Sequence, residues 1–454
     1  MGGKAGTSGV RVAIVGAGWA GLAAAVTVTA AGHHATVFEA AHAVGGRARA
    51  INDTLPDGTP VTLDNGQHIL IGAYTETLRL MAQVGMHEPQ CLLRTPLTLQ
   101  FPDGDGLRLP RWPAPLDALG GIAMARGWTL ADKWALLRAA TGWQLGGFRC
   151  AASTSVAQLC SGLPERVMET TIEPLCVSAL NTPAPRASGQ VFLRVLRDAL
   201  FGGSGSSNLL LPTVDLGRLF PQAAVTWLEL KGSTVLLDQR VTSLQSTGDA
   251  NTQRSTTPAA WRVNGIAFDA AVWATSASNA ALALAQQAPA APDSIADALR
   301  TWAAVTEQLQ HEAIATVYAY APGLQLPQPM LSLRCDADHP AQFVFDRGQL
   351  GGPQGLLAFV VSASTQDRVT LQQQVLHQAD LQLGALLQER TLSPLQTVVE
   401  KRATFACVPG LVRPPQQVAP GLLACGDYVD GPYPATLEGA VRSGVAAASL
   451  LMPA

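Results

Sequence analysis

The hydrophobic and polar positions at the start of the chain follow the order strand, turn, helix, strand. Residues 11–15 form a short apolar run rich in β-branched side chains, and residues 16–21 contain three glycines. Residues 21–31 are small and apolar, which is typical of a closely packed helix, and residues 35–38 predict a second strand. This order is that of a βαβ unit, so the chain is predicted to begin with an α/β domain.

Patterns further along the chain predict a different kind of structure. Residues 109–147 follow a helical period, with Leu130, Trp134 and Leu137 on one face. Such a segment is more typical of a lid over a substrate than of a helix within a Rossmann unit. The segment holds four of the nine tryptophans: Trp112, Trp128, Trp134 and Trp143. Residues 202–207 are rich in glycine and serine and predict a flexible loop. Beyond this loop the pattern predicts strands at 234–245, 261–275, 313–320, 356–362 and 422–425. It also predicts a polar loop at 246–258 and helices at 367–389 and 436–451.

The composition of the chain limits the kinds of molecule that the protein is expected to bind. A length of 454 residues predicts two large units or a discontinuous pair. Only 14% of residues are charged and 48% are hydrophobic, whereas a soluble domain usually has about 25% charged residues. This shortage of charge predicts a large internal apolar surface, an apolar pocket or contact with lipid. A net charge of -3 without a Lys/Arg cluster excludes nucleic acid as a partner.

Three other classes of protein are disfavoured by the residue spacing. The seven cysteines are scattered and form no CxxC pair, so they predict reduced thiols in a cytoplasmic protein. The eight histidines show no metal-ligand spacing, and no metal is predicted. Residues 12–31 are uncharged and long enough for a membrane span or a signal peptide. The glycine spacing within this run, and Glu39 soon after it, favour a nucleotide-binding turn instead.

The first candidate site is that glycine turn. Gly16 allows the chain to reverse, Gly18 allows the backbone to approach a diphosphate, and Gly21 allows the helix to pack closely on the strand. The helix N-terminus then presents free N–H groups to the phosphates. Glu39 lies 21 residues after Gly18, at the end of the second strand, where a carboxylate accepts hydrogen bonds from a ribose. The alternative is an ordinary tight turn, but the strand, helix and acid at the expected positions favour dinucleotide binding.

A second glycine motif begins at Gly45, with five residues between it and Glu39. Gly45 and Gly46 permit another close approach of the backbone, and Arg47 and Arg49 can offset phosphate charge. Alone, this motif would describe a surface turn with solvated arginines. Its fixed position after the βαβ unit favours a cofactor role and, of the two common dinucleotides, FAD.

The third motif lies near the C-terminus. A predicted strand ends in Gly426 and Asp427, whose carboxylate can reach ribityl hydroxyls. A helix beginning near Thr436 and Leu437 can direct its N–H groups at the electron-rich edge of a flavin. An ordinary strand, turn and helix would explain the same residues, but the N-terminal motifs in the same chain favour a flavin site.

Together these motifs span the chain and resemble those of the amine-oxidase and phytoene-desaturase group of flavoproteins. Within that group, residues 63–68 (LDNGQH), 179–183 (ALNTP) and 426–440 (GDYVDGPYPATLEGA) resemble the hydroxysqualene dehydroxylases. The resemblance implies an α/β fold, α+β overall, in which a Rossmann-type FAD-binding domain is interleaved with a substrate domain of mixed sheet and helical cap. The implied FAD-binding segments are 9–85, 205–290 and 415–454, and the implied substrate-binding segments are 86–204 and 291–414. It also implies that the Val241 backbone lies against the adenine and that Ala274 and Thr275 lie near the phosphates.

The resembled reaction is the FAD-dependent reductive dehydroxylation of hydroxysqualene to squalene in hopanoid synthesis. An allylic hydroxyl leaves, and reduced flavin supplies hydride from N5. Such chemistry requires the protein to orient the substrate, to exclude water from the site and to supply one proton donor. His68 is the first candidate donor, because its loop is expected beside the flavin, and Tyr433 is the second. His68 could equally shape its loop, and Asp64 is expected to brace that loop.

Several alternatives stay open at this stage. A carotenoid or phytoene-type desaturase shares every FAD motif. An amine oxidase is less favoured because the tail offers only Tyr428 and Tyr433 for an aromatic cage. A third alternative is a non-catalytic, FAD-bound chaperone for lipids. It is disfavoured because such a protein would have little need of residues that stabilise the reduced flavin. The expected partner is a long isoprenoid, and the tryptophan-rich segment is either core or a peripheral contact with the inner face of the membrane. The electron donor and the oligomeric state are left open.

Overall fold

The computed structural model describes residues 9–247 and 261–452. Most of the predicted polar loop at 246–258 lies outside the described residues. The strands, in chain order, are β1 (Arg11–Val15), β2 (His34–Phe38), β3 (Ala50–Thr54), β4 (Pro60–Asp64), β5 (Leu70–Ile71), β6 (Leu92–Thr95), β7 (Thr98–Gln100), β8 (Gly106–Arg108), β9 (Leu209–Pro212), β10 (Thr234–Leu236), β11 (Leu244–Ser246), β12 (Trp261–Val263), β13 (Ile266–Phe268), β14 (Ala270–Trp273), β15 (His311–Tyr320), β16 (Met330–Ser332), β17 (Phe343–Asp346), β18 (Leu356–Ser362), β19 (Ser393–Phe405), β20 (Gln417–Ala419) and β21 (Leu422–Ala424).

Helices connect and cover these strands. They are α1 (Trp19–Ala30), α2 (Thr75–Gln83), α3 (Glu88–Cys91), α4 (Leu116–Met124), α5 (Leu130–Leu145), α6 (Val156–Leu159), α7 (Glu165–Val167), α8 (Glu173–Leu180), α9 (Gly189–Phe201), α10 (Leu216–Leu219), α11 (Pro221–Leu230), α12 (Ala277–Gln287), α13 (Asp293–Glu307), α14 (Arg368–Leu387) and α15 (Leu437–Leu451). A π-helical turn, Met168–Ile172, joins α7 to α8. Among the described residues, none of the helices combines the length and the apolar character needed to cross a membrane.

The main nucleotide-binding layer is a six-stranded sheet with the order β10-β2-β1-β14-β21-β20. Strands β10, β2, β1, β14 and β21 run parallel, and β20 is antiparallel at one edge. Because the central strands are covered on both faces, they are almost continuously buried, as in β1 and β14. The sheet brings together segments from the beginning, the middle and the end of the chain.

Helices α1 and α15 pack against each other on one face of this sheet, and small residues allow their close approach. A side chain at Gly444 of α15 would overlap the main-chain oxygen of Ala20 in α1. Ala23, Ala24 and Ala447 are fully buried nearby. This contact sets the middle of α15 against the first turn of α1 and so brings the third sequence motif near the first.

A five-stranded antiparallel sheet, in the order β16-β17-β18-β15-β19, forms the second layer. Strand β18 is buried along its whole length, and helix α14 covers one face of the sheet through Leu371, Val375 and Leu383. Asp367 caps α14 by accepting hydrogen bonds from the main-chain N–H groups of Val369 and Thr370. The predicted strands at 313–320 and 356–362 and the predicted helix at 367–389 are therefore confirmed.

The predicted α/β class is confirmed, with differences in detail. The predicted strand at 234–245 is two short strands, β10 and β11, and the predicted strand at 261–275 is divided into β12, β13 and β14. Asn264, with φ at 47°, and Gly265 turn the chain between β12 and β13. The division into FAD-binding and substrate-binding segments stays a proposal, and one small sheet, β5-β9-β6, joins residues on both sides of the 85/86 boundary.

The tryptophan-rich segment divides between core and surface. Trp128 is buried, and its indole N–H donates to the Thr170 hydroxyl at 3.1 Å. Trp134 is 67% exposed and Trp112 is 54% exposed. The helical face that carries Leu130, Trp134 and Leu137 therefore lies mostly at the surface, because Leu130 is 85% exposed and Leu137 is only half-buried.

Candidate active site

A cavity of about 520 Å³ lies at the carboxyl ends of the parallel strands, where Val15, Phe38 and Trp273 end β1, β2 and β14. This is the edge of an open α/β sheet at which ligands generally bind. Thirteen of the predicted cofactor residues line the cavity: Gly16, Gly18, Glu39, Gly45, Gly46, Arg47, Val241, Ala274, Thr275, Gly426, Asp427, Thr436 and Leu437. Their common location does not test their individual roles, which stay predictions.

The glycine turn has the shape that a bound diphosphate needs. A side chain at Gly21 would overlap the Gly16 main-chain oxygen, so Gly21 supports the turn from behind and does not line the cavity. By contrast, a side chain at Gly18 would meet no atom within 4 Å. Trp19 and Ala20, whose N–H groups lie in the first turn of α1 and have no partner within the helix, line the same open space. The turn therefore leaves room for an anion over a helix N-terminus.

Glu39 has a structural role in addition to the predicted ribose contact. Its Oε2 accepts a hydrogen bond from the Ala17 N–H at 2.8 Å, and its Oε1 accepts one from the Ala41 N–H at 2.9 Å. The carboxylate thus fixes the middle of the glycine turn against the end of β2. Each oxygen has a second lone pair, so these bonds leave capacity for a ribose hydroxyl in the cavity.

Arg47 and Asp427 join the second and third motifs. The guanidinium donates to Asp427 Oδ1 at 2.6 Å, and to the main-chain oxygens of Arg402 at 3.2 Å and Ala403 at 2.5 Å. Burial disfavours the charged guanidinium, but the negative charges of Asp427 and Glu400 oppose burial, and the pKa of Arg47 is raised. One arginine therefore ties the N-terminal motif, the C-terminal motif and strand β19 around the cavity.

The N-terminus of α15 is held beside the cavity by Thr436 and Glu438. Thr436 caps the helix by accepting a hydrogen bond from the Gly439 N–H at 3.1 Å. The buried Glu438 carboxylate accepts from the N–H groups of Glu76 and Thr77 at the start of α2, and from Arg442. This glutamate, part of the C-terminal motif, thus connects α15 to α2 instead of facing the cofactor cavity.

The loop at 64–68 is attached to both layers of the protein. Asp64 Oδ1 accepts from the Leu216 N–H at 2.8 Å, and Asp64 Oδ2 lies 3.7 Å from the Arg347 guanidinium. Tyr318 of β15 donates from its hydroxyl to the Asp64 main-chain oxygen at 2.9 Å. Burial raises the pKa of Asp64 to about 6, and the Arg347 charge opposes that rise. Asp64 is therefore an ion-paired brace, and the remainder of its loop lines the cavity.

His68 lies in this loop and lines the cofactor cavity. Its Nδ1 lies 2.7 Å from the Gly66 main-chain oxygen, which can only accept, so Nδ1 carries a proton. Burial lowers the pKa of His68, and the positive charge of Arg47 lowers it further. The imidazole is therefore neutral near pH 7 with Nε2 unprotonated, and it can donate a proton from Nε2 only after it has become an imidazolium.

A second cavity, of about 280 Å³, adjoins the first and is almost wholly apolar. Its walls come from α4, α5, α8 and α9, with Ile122, Leu136, Leu175, Phe192 and Leu196 among them. Five residues line both cavities, which makes them the junction: Ile69, Tyr74, Ser178, Ala179 and Thr436. The predicted helical cap therefore encloses a hydrocarbon-lined space that leads to the cofactor cavity.

Tyr433, the second predicted proton donor, lines the apolar cavity and not the cofactor cavity. Arg194 and Arg442 each lie 5.1 Å from the centre of its ring. Its hydroxyl accepts a hydrogen bond from Arg194 at 3.3 Å, and Arg194 is in turn paired with Asp198. Tyr433 is therefore separated from His68 by the junction.

Sequence reasoning missed Tyr74, which lies at the junction opposite Thr436. Burial raises the pKa of Tyr74, and the Glu438 charge raises it further, so its phenol keeps its proton. Tyr74 precedes α2 and belongs to no recognised motif, so only the fold brings it to the cavity. Asn181 of the ALNTP stretch also lines the cavity; it ends α8 with φ at 46°, a conformation that asparagine tolerates well.

Among residues 9–247 and 261–452, no group of three or more His, Cys, Asp or Glu side chains could hold a metal ion. The chemistry of the donor set is instead that of a dinucleotide site: helix N-termini, an acid at the end of β2 and open space over Gly18. These features fit FAD, and a volume of about 520 Å³ is within the range of ligand pockets.

The fold and the site define a flavin-dependent oxidoreductase. The chain belongs to the flavin-containing amine oxidoreductase family, whose sequence profile matches residues 19–452. It is 26% identical to the hydroxysqualene dehydroxylase of Sinorhizobium fredii, over 97% of this chain and 98% of that protein, and 28% identical to that of Rhodopseudomonas palustris, over 98% of both. An oxidoreductase from Methanosarcina mazei shares the fold with a TM-score of 0.68 at 15% identity, covering 97% of this chain and all of that one. The predicted cofactor, FAD, and the predicted enzyme class are confirmed.

Proposed function

We propose that this enzyme converts hydroxysqualene to squalene by reductive dehydroxylation. The observation that carries the proposal is the apolar cavity that adjoins the cofactor cavity at a junction containing Tyr74, Ser178 and Thr436. The apolar walls suit a long isoprenoid, and the polar residues of the junction can bind a hydroxyl at the end of the cavity that borders the cofactor cavity. The full-length similarity to two hydroxysqualene dehydroxylases supports this choice of substrate.

In this reaction a C–O bond breaks, a C–H bond forms, and a proton joins the departing hydroxyl to give water. FAD, when bound and reduced, supplies the hydride. The chain must bind the hydrocarbon, exclude bulk water and deliver the proton. The apolar cavity performs the first two tasks, because its walls are mainly leucine, isoleucine, valine and phenylalanine.

Three side chains are candidates for proton delivery, and their positions differ. His68 lines the cofactor cavity, Tyr74 lies at the junction, and Tyr433 lies on the apolar side. His68 is a strong acid only as an imidazolium, whereas the Tyr74 phenol is protonated at every physiological pH but is a weak acid. We place His68 first as the donor and Tyr74 beside it as a hydrogen-bond donor to the leaving hydroxyl.

The test of the function is turnover with defined substrates. Purified enzyme carrying chemically reduced FAD is expected to convert hydroxysqualene to squalene in a single anaerobic turnover, read by product mass. Phytoene and squalene, offered to oxidised enzyme with an acceptor, are expected to remain unchanged. Desaturated products with no dehydroxylation would instead identify a desaturase.

The assignment of donors predicts a pH dependence. Because the pKa of His68 is lowered below its usual 6.5, the imidazolium disappears as the pH rises through that lowered value. The single-turnover rate is therefore expected to fall as pH increases through a pKa below 6.5, and His68→Ala is expected to remove this limb and slow the reaction about 100-fold. Retention of the full rate by both His68→Ala and Tyr433→Phe would make the predicted donors wrong. Loss in Tyr74→Phe alone would move the donor role to the junction.

An amine oxidase is disfavoured by where the two tail tyrosines lie. Tyr428 is buried against Trp302, with ring centres 6.3 Å apart, and borders the cofactor cavity. Tyr433 borders the apolar cavity. Since the two rings line different cavities, they do not form one aromatic cage around an amine.

A further inference from the structure

The surface of helices α4 and α5 exposes an unusual amount of apolar side chain. Seven of the sixteen large apolar side chains exposed in the described part of the chain lie on this surface: Trp112, Leu116, Leu119, Met124, Leu130, Trp134 and Leu145. On α5, Leu130, Trp134 and Leu145 lie within about 60° of one another around the helix, on the face away from the buried Leu136. An apolar stripe on the solvent side of a helix marks an interaction site.

The exposed charges of residues 106–150 have one sign. Between Gly106 and Cys150, the basic side chains are Arg108, Arg111, Arg126, Lys133, Arg138 and Arg149, and none of them forms an ion pair with another described residue. The acidic side chains of this segment, Asp117 and Asp132, are both buried. Asp132 belongs to the capping box of α5, where it accepts from Thr129. Solvent-accessible acids lie on either side of this segment: Asp103 and Asp105, which lie against Arg334, and Glu165 and Glu169 beyond α5.

The apolar cavity opens onto this surface. Leu119 of α4 and Phe201 at the end of α9 line the cavity and are 46% and 38% exposed. Thr141 and Gln144 of α5 line it as well and are exposed. The exposed apolar surface is therefore continuous with the walls of the cavity that leads to the cofactor site.

We propose that the α4–α5 surface docks on an anionic lipid bilayer and that the apolar cavity opens into the hydrocarbon there. Tryptophan and leucine side chains insert at the interface, and the exposed arginines, which form no ion pair among the described residues, contact anionic headgroups. Docking would deliver a water-insoluble substrate to the cavity without passage through water, and this purpose rests on the proposed function. The docking itself follows from the exposed side chains and their charge.

The test is sedimentation of the full-length holoenzyme with vesicles that contain no substrate, so that its outcome is separate from the enzymatic one. The enzyme is expected to bind vesicles of phosphatidylcholine with 30% phosphatidylglycerol and to bind phosphatidylcholine alone at least about tenfold more weakly at low salt. Leu130→Ser with Trp134→Ser is expected to reduce binding to anionic vesicles by about tenfold or more. Arg111→Glu with Arg138→Glu is expected to remove the preference for anionic lipid. Trp128 is not a suitable target, because it is buried and bonded to Thr170.

The matched control is Leu230→Ser with Leu381→Ser, which replaces two side chains that are 81% and 61% exposed on α11 and α14. This variant is expected to bind vesicles as the parent does. Thermal melting and the flavin spectrum establish that each variant is folded. Absence of vesicle binding by the parent enzyme would overturn the proposal. Equal loss in the control would do so as well, as would a concentration-dependent dimer that the Leu130/Trp134 variant abolishes while vesicle binding persists.

Discussion

Replacing Gly18 with valine is expected to abolish FAD retention and to leave the apoprotein folded. Gly18 has φ at -75° and ψ at 177°, which any L-residue can adopt, and a Cβ there would lie in open space, with no atom of a non-neighbouring residue within 4 Å. That side chain would instead occupy the open space over the N-terminus of α1, where the FAD diphosphate is proposed to lie. We expect the affinity for FAD to fall at least about 100-fold, equivalent to about 2.7 kcal/mol.

The measurement is a titration of apoprotein with FAD, followed by flavin fluorescence, beside a thermal melt without FAD. Gly384→Val is the matched control, since Gly384 also has open space at the side-chain position but lies on α14, outside both cavities. Gly21→Val should differ from both by destabilising the apoprotein, because its side chain would overlap the Gly16 main chain. Unaltered FAD affinity in Gly18→Val would show that the diphosphate does not pass over this residue.

Replacing Arg347 with leucine is expected to destabilise the protein, and to do so more at pH 8 than at pH 5. The substitution leaves Asp64 buried without its charged partner, which costs about 3 kcal/mol or more when the carboxyl is ionised. In the parent protein, the Asp64 pKa of about 6 is higher than the 3.8 of an ordinary aspartate. Asp64 therefore binds more protons in the folded state between about pH 4 and 6, and its contribution to stability falls as pH rises through that window.

Without Arg347 the folded pKa of Asp64 should rise further above 6. The loss of stability then continues at higher pH, so the difference between parent and variant widens between pH 6 and 8. Denaturant unfolding of the parent and the variant at pH 5 and pH 8 measures this difference in the free energy of unfolding. Asp64→Asn in the Arg347→Leu background should restore much of the stability at pH 8, because the amide oxygen can still accept from Leu216. An equal loss at both pH values would show that Asp64 is not the titrating group.

The local residue pattern was sufficient to predict the cofactor end of the molecule. The glycine turn, the acid after β2 and the capped helix after Gly426 are short-range features, in which neighbouring residues fix the backbone that binds the ligand. The predicted helix at 436–451 therefore differs by one residue from the observed Leu437–Leu451, with Thr436 as its cap. Short strands such as β10 and β11 were merged in the prediction, because a run of apolar residues does not reveal where pairing with a neighbour ends.

What the sequence determined by itself was the α/β class and the FAD cofactor, and it predicted the site residues at the two ends of the chain, which the structure brings to one cavity. Only the tertiary structure decided that Arg47 pairs with Asp427, that Tyr74 lies at the junction of two cavities, and that Trp134 is exposed while Trp128 is buried. These properties depend on contacts between residues far apart in the chain. A motif specifies its own backbone, but the neighbours of a side chain are set by how whole layers pack.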